Sequence, residues 1–267
     1  MIQQGGKYVV MGLLDPDSIA FAVGQDITRL GGEVIYTSQS ERYKSIFFYR
    51  STKLSDAEKS ALRIEYCDVT IEQEVKDLFS KLGPIDGLVH SIGFANPKTC
   101  LGQEFHTAAF DDLKMGFQIS CISLATVAMY AAPQMKNGGS IVTLSFESRK
   151  AFPFYNWMGV NKAALEALVR ALARRHGKEL IRVNAVSAGP LSTKAASSIP
   201  GFMELAQTWS KSSPLPWDTI NDKSEVAHAV QFLLSPLAKK ITGQVLYVDG
   251  GASITGGDLL PFEMPSA

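Results

Sequence analysis

Seven short apolar runs, separated by segments of helical spacing, constrain this chain more than any single motif in it. Residues 7–12, 33–37, a stretch within 62–69, 85–92, 140–145, 181–187 and 243–248 read as strands. Their centres are nearly continuous in apolar residues, as in strands covered on both faces. Between them 18–30, 57–62, 72–82, 110–135, 155–176 and 224–234 carry helical patterns. A rhythm of strands alternating with helices is satisfied by a parallel sheet with right-handed crossovers. The expected fold is therefore α/β, a single doubly wound (Rossmann-type) parallel sheet with helices on both faces.

Neither an internal repeat nor a linker divides the chain, so residues 1–267 are expected to form one domain. The rhythm breaks over 193–222, where Pro200, Gly201, Pro214 and Pro216 surround a short helix at 202–210. A long excursion at the carboxyl end of a central strand is a candidate substrate-binding lid.

With 26 basic and 26 acidic side chains and no run of like charge, the chain lacks a nucleic-acid footprint. Cys67, Cys100 and Cys121 have no paired spacing, which predicts reduced thiols in a cytoplasmic setting and no metal site. The first ten residues lack a signal-peptide pattern, so the mature protein is expected to begin near Met1. Residues 115–135 are uncharged and nearly long enough to span a bilayer. Gln118, Ser120, Ser123, Thr126, Pro133 and Gln134 are scattered around that segment, however, and favour a buried or subunit-facing helix with no membrane partner.

The first strand ends in Gly12 and leads through Leu-Leu-Asp-Pro-Asp to Ser18 and Ile19. No Gly-x-Gly occurs anywhere, which counts against the ordinary nucleotide-binding turn. The longer turn still delivers Ser18 and Ile19 to a helix N-terminus, where free amides and the positive dipole end suit a pyrophosphate. A plain N-cap is the alternative role for Ser18, and the two are compatible. After the second strand comes Ser38-Gln39-Ser40-Glu41-Arg42, where an adenosine ribose is normally read. Glu41 would repel a 2′-phosphate and only Arg42 argues the other way, so the expected cofactor is NADH. Asp68 and Val69 at the third strand's end are placed to meet the adenine, with a turn role as the alternative for Asp68. Ser91, Ile92 and Gly93 at the fourth strand's end would let backbone approach the cofactor.

Tyr155 and Lys162 stand seven residues apart at the start of a long helix. At about 100° and 1.5 Å per residue they share one helical face, roughly 10 Å apart along the axis. The lysine leans back toward the helix start and closes much of that gap. A phenol beside an ammonium there is an acid placed to stabilise a developing oxyanion. The alternative is a half-buried wedge beside a solvated stem. A second tyrosine and lysine, Tyr49 and Lys53, stand closer together but lie before the third strand, and their pairing is read as chance.

These residues resemble the enoyl-acyl-carrier-protein reductases, a divergent branch of the short-chain dehydrogenase/reductases. The resemblance rests on the Gly12 to Ser18-Ile19-Ala20 turn, His90-Ser91-Ile92-Gly93-Phe94-Ala95, the Tyr155 to Lys162 segment, Arg182-Val183-Asn184-Ala185 with Ser187-Ala188-Gly189-Pro190, and Val248-Asp249-Gly250-Gly251. Its most diagnostic feature is six residues between the tyrosine and the lysine, where ordinary members of the superfamily have three.

The resemblance implies NADH-dependent reduction of the trans-2 double bond of enoyl thioesters, carried on acyl carrier protein or coenzyme A, in fatty-acid synthesis. By that likeness Tyr155 would stabilise the enolate and Lys162 would hold the nicotinamide ribose. Gln39, Asp68, Val69, Ile92, Leu191 and Thr193 would line the cofactor, and Ala95, Phe146, Met158 and Phe202 the acyl chain. A homotetramer is also implied. Phe146 stands where many relatives carry a second tyrosine, a pattern of the branch that accepts longer acyl chains. Lys194 is charged where an apolar residue is common. Two competing expectations are a carbonyl reductase of the same superfamily and a non-catalytic NADH-binding regulatory protein.

Overall fold

A computed structural model of the chain describes residues 2–258 and is built on one seven-stranded parallel sheet. Its strands are β1 (Lys7–Met11), β2 (Glu33–Ser38), β3 (Ile64–Tyr66), β4 (Gly87–His90), β5 (Gly139–Ser145), β6 (Ile181–Ala188) and β7 (Val245–Val248). The helices are α1 (Ile19–Arg29), α2 (Glu41–Tyr43), α3 (Asp56–Ala61), α4 (Glu72–Leu82), α5 (Phe110–Phe117), α6 (Ser123–Ala131), α7 (Asn156–His176), α8 (Phe202–Ser212) and α9 (Lys223–Leu234).

The period-two alternation of each strand feeds two separate cores. Tyr8 and Val10 pack with Val23 and Ile27 of α1 and with α9, whereas Val9 and Met11 pack with α4, α6 and α7 on the other face. Burial on both sides is why these strands read as unbroken apolar runs.

Strand order is β3-β2-β1-β4-β5-β6-β7. Val9 of β1 lies opposite Ile35 of β2 on one side and Leu88 of β4 on the other. Successive crossovers run outward from this pair in opposite directions, which opens a crevice at the carboxyl ends of β1 and β4.

Three segments differ from the sequence expectation. The strand expected within 62–69 is only Ile64–Tyr66, because β3 is the sheet edge and finds three partners, all on β2. The helix expected over 110–135 is α5 and α6 joined by a π-helical segment, Gln118–Ile122, with a 3₁₀ turn at Ala132–Gln134. Ser120, in the π segment, is wholly buried and clasps the β4 exit loop: its hydroxyl donates to the Phe94 carbonyl at 2.7 Å and accepts the Phe94 amide at 2.8 Å. Insertions of this kind re-aim side chains at functional positions. By length and composition Phe110–Gln134 could cross a membrane, but half of its most apolar window is buried against the sheet. Finally, residues 41–48 form α2 and a further π segment, Lys44–Phe48, opened by the Ser40 side chain accepting from the Tyr43 amide.

The 193–222 excursion holds the Ala196–Ser198 turn and α8. It is fastened at its base, where Trp209 Nε1 donates to the Asp249 carbonyl at 2.9 Å and Trp217 Nε1 to the Pro190 carbonyl at 2.8 Å. Lys194 is exposed, with Nζ 5.9 Å from the centre of the Phe47 ring.

Candidate active site

The exits of β1, β4 and β5 meet around Gly12, Gly93 and Lys162. Gly12 has a φ of +97°, and a side-chain carbon there would lie 2.1 Å from the Ser91 carbonyl oxygen, so only glycine lets the two strand exits approach. Gly12→Ala should cost about 2 kcal/mol from the backbone conformation alone. The thermal midpoint should then fall by roughly 4–8 °C, checked by differential scanning fluorimetry.

At the N-terminus of α1, Ser18 serves as the cap: its hydroxyl accepts from the Phe21 amide at 3.3 Å and donates to the Asp15 carbonyl at 2.7 Å. The Ile19 and Ala20 amides, in the first turn, have no acceptor among the described residues. Two unspent donors at the positive end of an eleven-residue helix, facing the crevice exit, fit the pyrophosphate of a dinucleotide. At the β2 exit Gln39 Nε2 donates to Asp68 at 2.8 Å. Asp68 also accepts the Thr70 amide and hydroxyl, so its turn role holds as well. Against burial, these bonds keep the Asp68 carboxyl below the usual carboxylate range. The adjoining cavity, about 540 Å³, is lined by Gln39, Ser40, Glu41, Glu65, Asp68 and Glu74 among others. Its carboxylates suit a ribose hydroxyl and oppose a phosphate in that place. The Ser38 hydroxyl, just before Gln39, is buried and unpartnered among the described residues.

Gly93 continues from β4 toward α7. A carbon added to it would lie 2.8 Å from the Met158 methyl and 3.6 Å from Lys162 Nζ, so the glycine faces both side chains. Ile92 packs on the adjacent core, Val69 and Leu191 are buried, and Thr193 Oγ1 accepts the Ala196 amide at 3.1 Å.

Tyr155 immediately precedes α7, in a turn held by its neighbours. Phe154 and Asn156 on either side of it have positive φ, 67° and 29°. Asn156 Oδ1 accepts the Gly102 amide at 2.8 Å, and Trp157 Nε1 donates to the Phe105 carbonyl at 2.9 Å, which braces that turn. The Tyr155 ring packs at a tilt on Phe146, centroids 4.6 Å apart, and Phe146 in turn meets Trp209 at 5.2 Å. Trp209 rather than Phe202 is thus the α8 aromatic against this cluster; Phe202 is the first residue of the helix, and Ala95 lies half-buried just past the Phe94 clasp.

The Tyr155 hydroxyl has no hydrogen-bond partner among the described residues, and burial pushes its pKa well above the ordinary phenol value. Lys162 is 6% exposed, and its Nζ donates to the Leu144 carbonyl of β5 at 2.7 Å. Burial pushes it down to about 8, with Glu166 acting in the opposite direction. Both polar groups are therefore buried in the wall of the crevice, and the wedge-and-stem alternative does not describe Lys162. His90, also wholly buried, is pushed down to about 3, first by burial and then by Lys162. Its ring is fixed between Thr143 Oγ1 at 3.0 Å and Ser123 Oγ at 2.9 Å. Burial keeps this ring neutral near neutral pH. Tyr49 and Lys53 lie on the surface, each occupied elsewhere: Lys44 covers the Tyr49 ring and Lys53 pairs with Asp17.

Sequence comparison bears on this arrangement directly. The family model described as Enoyl-(Acyl carrier protein) reductase matches residues 12–253. The chain belongs to that family. Among curated relatives, the Bacillus subtilis enoyl-[acyl-carrier-protein] reductase [NADH] FabI is 36% identical over 258 residues, covering 94% of this chain and 97% of its own. Among solved structures, the Anaplasma phagocytophilum reductase in complex with NAD has a TM-score of 0.87 at 35% identity, covering 97% of this chain and 98% of that one. The Bacillus cereus reductase, solved with NADP+ and an indole naphthyridinone, has a TM-score of 0.84 at 33% identity, covering 95% and 98%. Gly12, Gly93, Tyr155 and Lys162 all fall within the residues that the family model matches.

Proposed function

We propose that this chain is an NADH-dependent enoyl-acyl-carrier-protein reductase, acting on the trans-2 double bond of enoyl thioesters in the elongation cycle of fatty-acid synthesis. The observation that carries this reading is a protonated, unpartnered phenol at Tyr155, at the entry to α7, and a buried amine at Lys162 within it, beside the glycine exit of β4. The dinucleotide, when bound, supplies the hydride to the β-carbon. The α1 amides and Gly12 hold its pyrophosphate, Gln39 and Asp68 its adenosine end, and Lys162 the nicotinamide ribose. Tyr155 donates a hydrogen bond to the thioester carbonyl oxygen, which gathers negative charge as the double bond's electrons move toward it. That interaction strengthens only toward the transition state and so contributes to turnover.

Phe146, Met158 and Trp209 offer an apolar wall for the acyl chain, and the 193–222 excursion acts as its lid. Exposed Met115, Phe117, Ile122, Met129 and Val160 leave apolar surface on α5, the π segment, α6 and α7 that a second copy would cover, in line with a homotetramer. Three buried, unpaired cysteines suit a reducing cytoplasm. Incubation with NADH and a trans-2-enoyl thioester should deplete NADH absorbance, and NADPH should react more slowly because Glu41 and Asp68 oppose its extra phosphate. Reduction of ketones with the enoyl thioester untouched would make the chain a carbonyl reductase instead. NADH binding without turnover would make it a regulatory protein.

A further inference from the structure

Glu166 takes no part in the chemistry above, yet it stands one helical turn beyond Lys162 on the same face of α7 and is 6% exposed. Each of its oxygens is held separately: Oε1 accepts from Ser145 Oγ at 2.6 Å and Oε2 from Ser148 Oγ at 2.7 Å. Ser145 ends β5 and Ser148 lies in the loop that follows. The carboxylate thus ties the lysine-bearing helix to the strand whose Leu144 carbonyl receives Lys162 Nζ. Two donated hydrogen bonds and a nearby cation are what a buried carboxylate requires.

We propose that Glu166 is a positioning residue for the reaction, the fixed counter-charge that keeps the Lys162 amine protonated and aimed into the crevice. This rests on the reading of Lys162 as the residue that holds the nicotinamide ribose. The other titratable groups facing Lys162 carry no charge near neutral pH. His90 of β4 is neutral, burial raises the Cys121 thiol of the Gln118–Ile122 segment, and Tyr155 remains a phenol. Glu166 is itself faced by Arg149 and by Tyr247 of β7. Arg149 makes its hydrogen bonds to Glu147, at 2.9 and 2.6 Å, and none to Glu166.

The test is NADH titration of the full chain by fluorescence between about pH 6.5 and 10, a window that spans the depressed lysine on both sides. Wild-type affinity should hold to about pH 8 and then weaken by about tenfold per pH unit as the amine loses its proton. In Glu166→Gln the same decline should begin about one pH unit lower, and Glu166→Asp should fall between the two. Coincident declines in wild type and Glu166→Gln would overturn the inference. A wild type that binds no NADH would overturn the functional reading. A second measurement needs no dinucleotide. Thermal unfolding should show Glu166→Gln costing stability in the wild type and much less in a Lys162→Met background, where the carboxylate has lost its cation. Equal costs in both backgrounds would make Glu166 merely architectural and overturn the inference even if the functional reading stands. If Glu166→Gln does not fold, Glu166→Asp carries both measurements, with a partial displacement expected in each.

Discussion

Replacing Tyr155 by Phe should lower kcat by about 10²–10³-fold and leave NADH affinity within about twofold, the range expected when one preorganised oxyanion donor is removed. The selectivity follows from where the hydroxyl sits. Burial keeps the phenol protonated throughout the neutral range, so it is a donor and never an anion. It has no partner among the described residues, so no hydrogen bond within the protein is lost when it is deleted. The remaining phenyl ring keeps its contact with Phe146 at 4.6 Å, and the turn is still braced through Asn156 and Trp157. Steady-state kinetics with a trans-2-enoyl thioester, NADH fluorescence titration and a melting curve together check this. A Phe variant with undiminished turnover would remove Tyr155 from the chemistry, and a collapse of NADH affinity would recast it as a cofactor residue.

The parts of this molecule legible in its sequence are those governed by local pattern. Strands buried on both faces announce themselves as apolar runs, and α4 and α7 as helical spacing, because one residue's burial there implies its neighbours'. The bounds of the edge strand β3 are not legible, since its ends depend on what β2 can pair with, not on residues 62–69 themselves. The π segment inside 110–135 was invisible for a similar reason: Ser120 is pulled out of helical register by a loop twenty-six residues earlier. Residues 41–48 carry aromatic and charged side chains without a clean period, although Ser40 as an N-cap was available as a signal. At the candidate site, Tyr155 and Lys162 could be singled out because a seven-residue spacing suits one helical face, although Tyr155 lies just before α7. Trp209 and Glu166 could not. A tryptophan on an amphipathic helix and a glutamate one turn past a lysine are ordinary surface features until tertiary packing buries them.

Burial of Lys162 has the second large consequence. Lys162→Met should weaken NADH binding by about 10²-fold or more, since the charge-assisted bonds to a ribose diol are worth about 1.5–3 kcal/mol each and a thioether can replace none of them. The wild type should show the same loss as a function of pH. Its Lys162 is held down at about 8, so affinity and kcat/KM decline above that value, whereas the Met variant's residual affinity should be flat across the same window. Stability runs the other way. Between about 8 and the ordinary lysine value the unfolded chain retains a proton that the folded one has released, so this residue's contribution makes the fold more stable as pH rises, not less. Melting curves and NADH titrations at matched pH therefore separate the two effects. Activity lost above pH 8 while the melting temperature holds or climbs identifies deprotonation of one buried amine. A parallel fall of both would point to alkaline unfolding instead, and an alkaline limb that survives in Lys162→Met would assign the titration to another group.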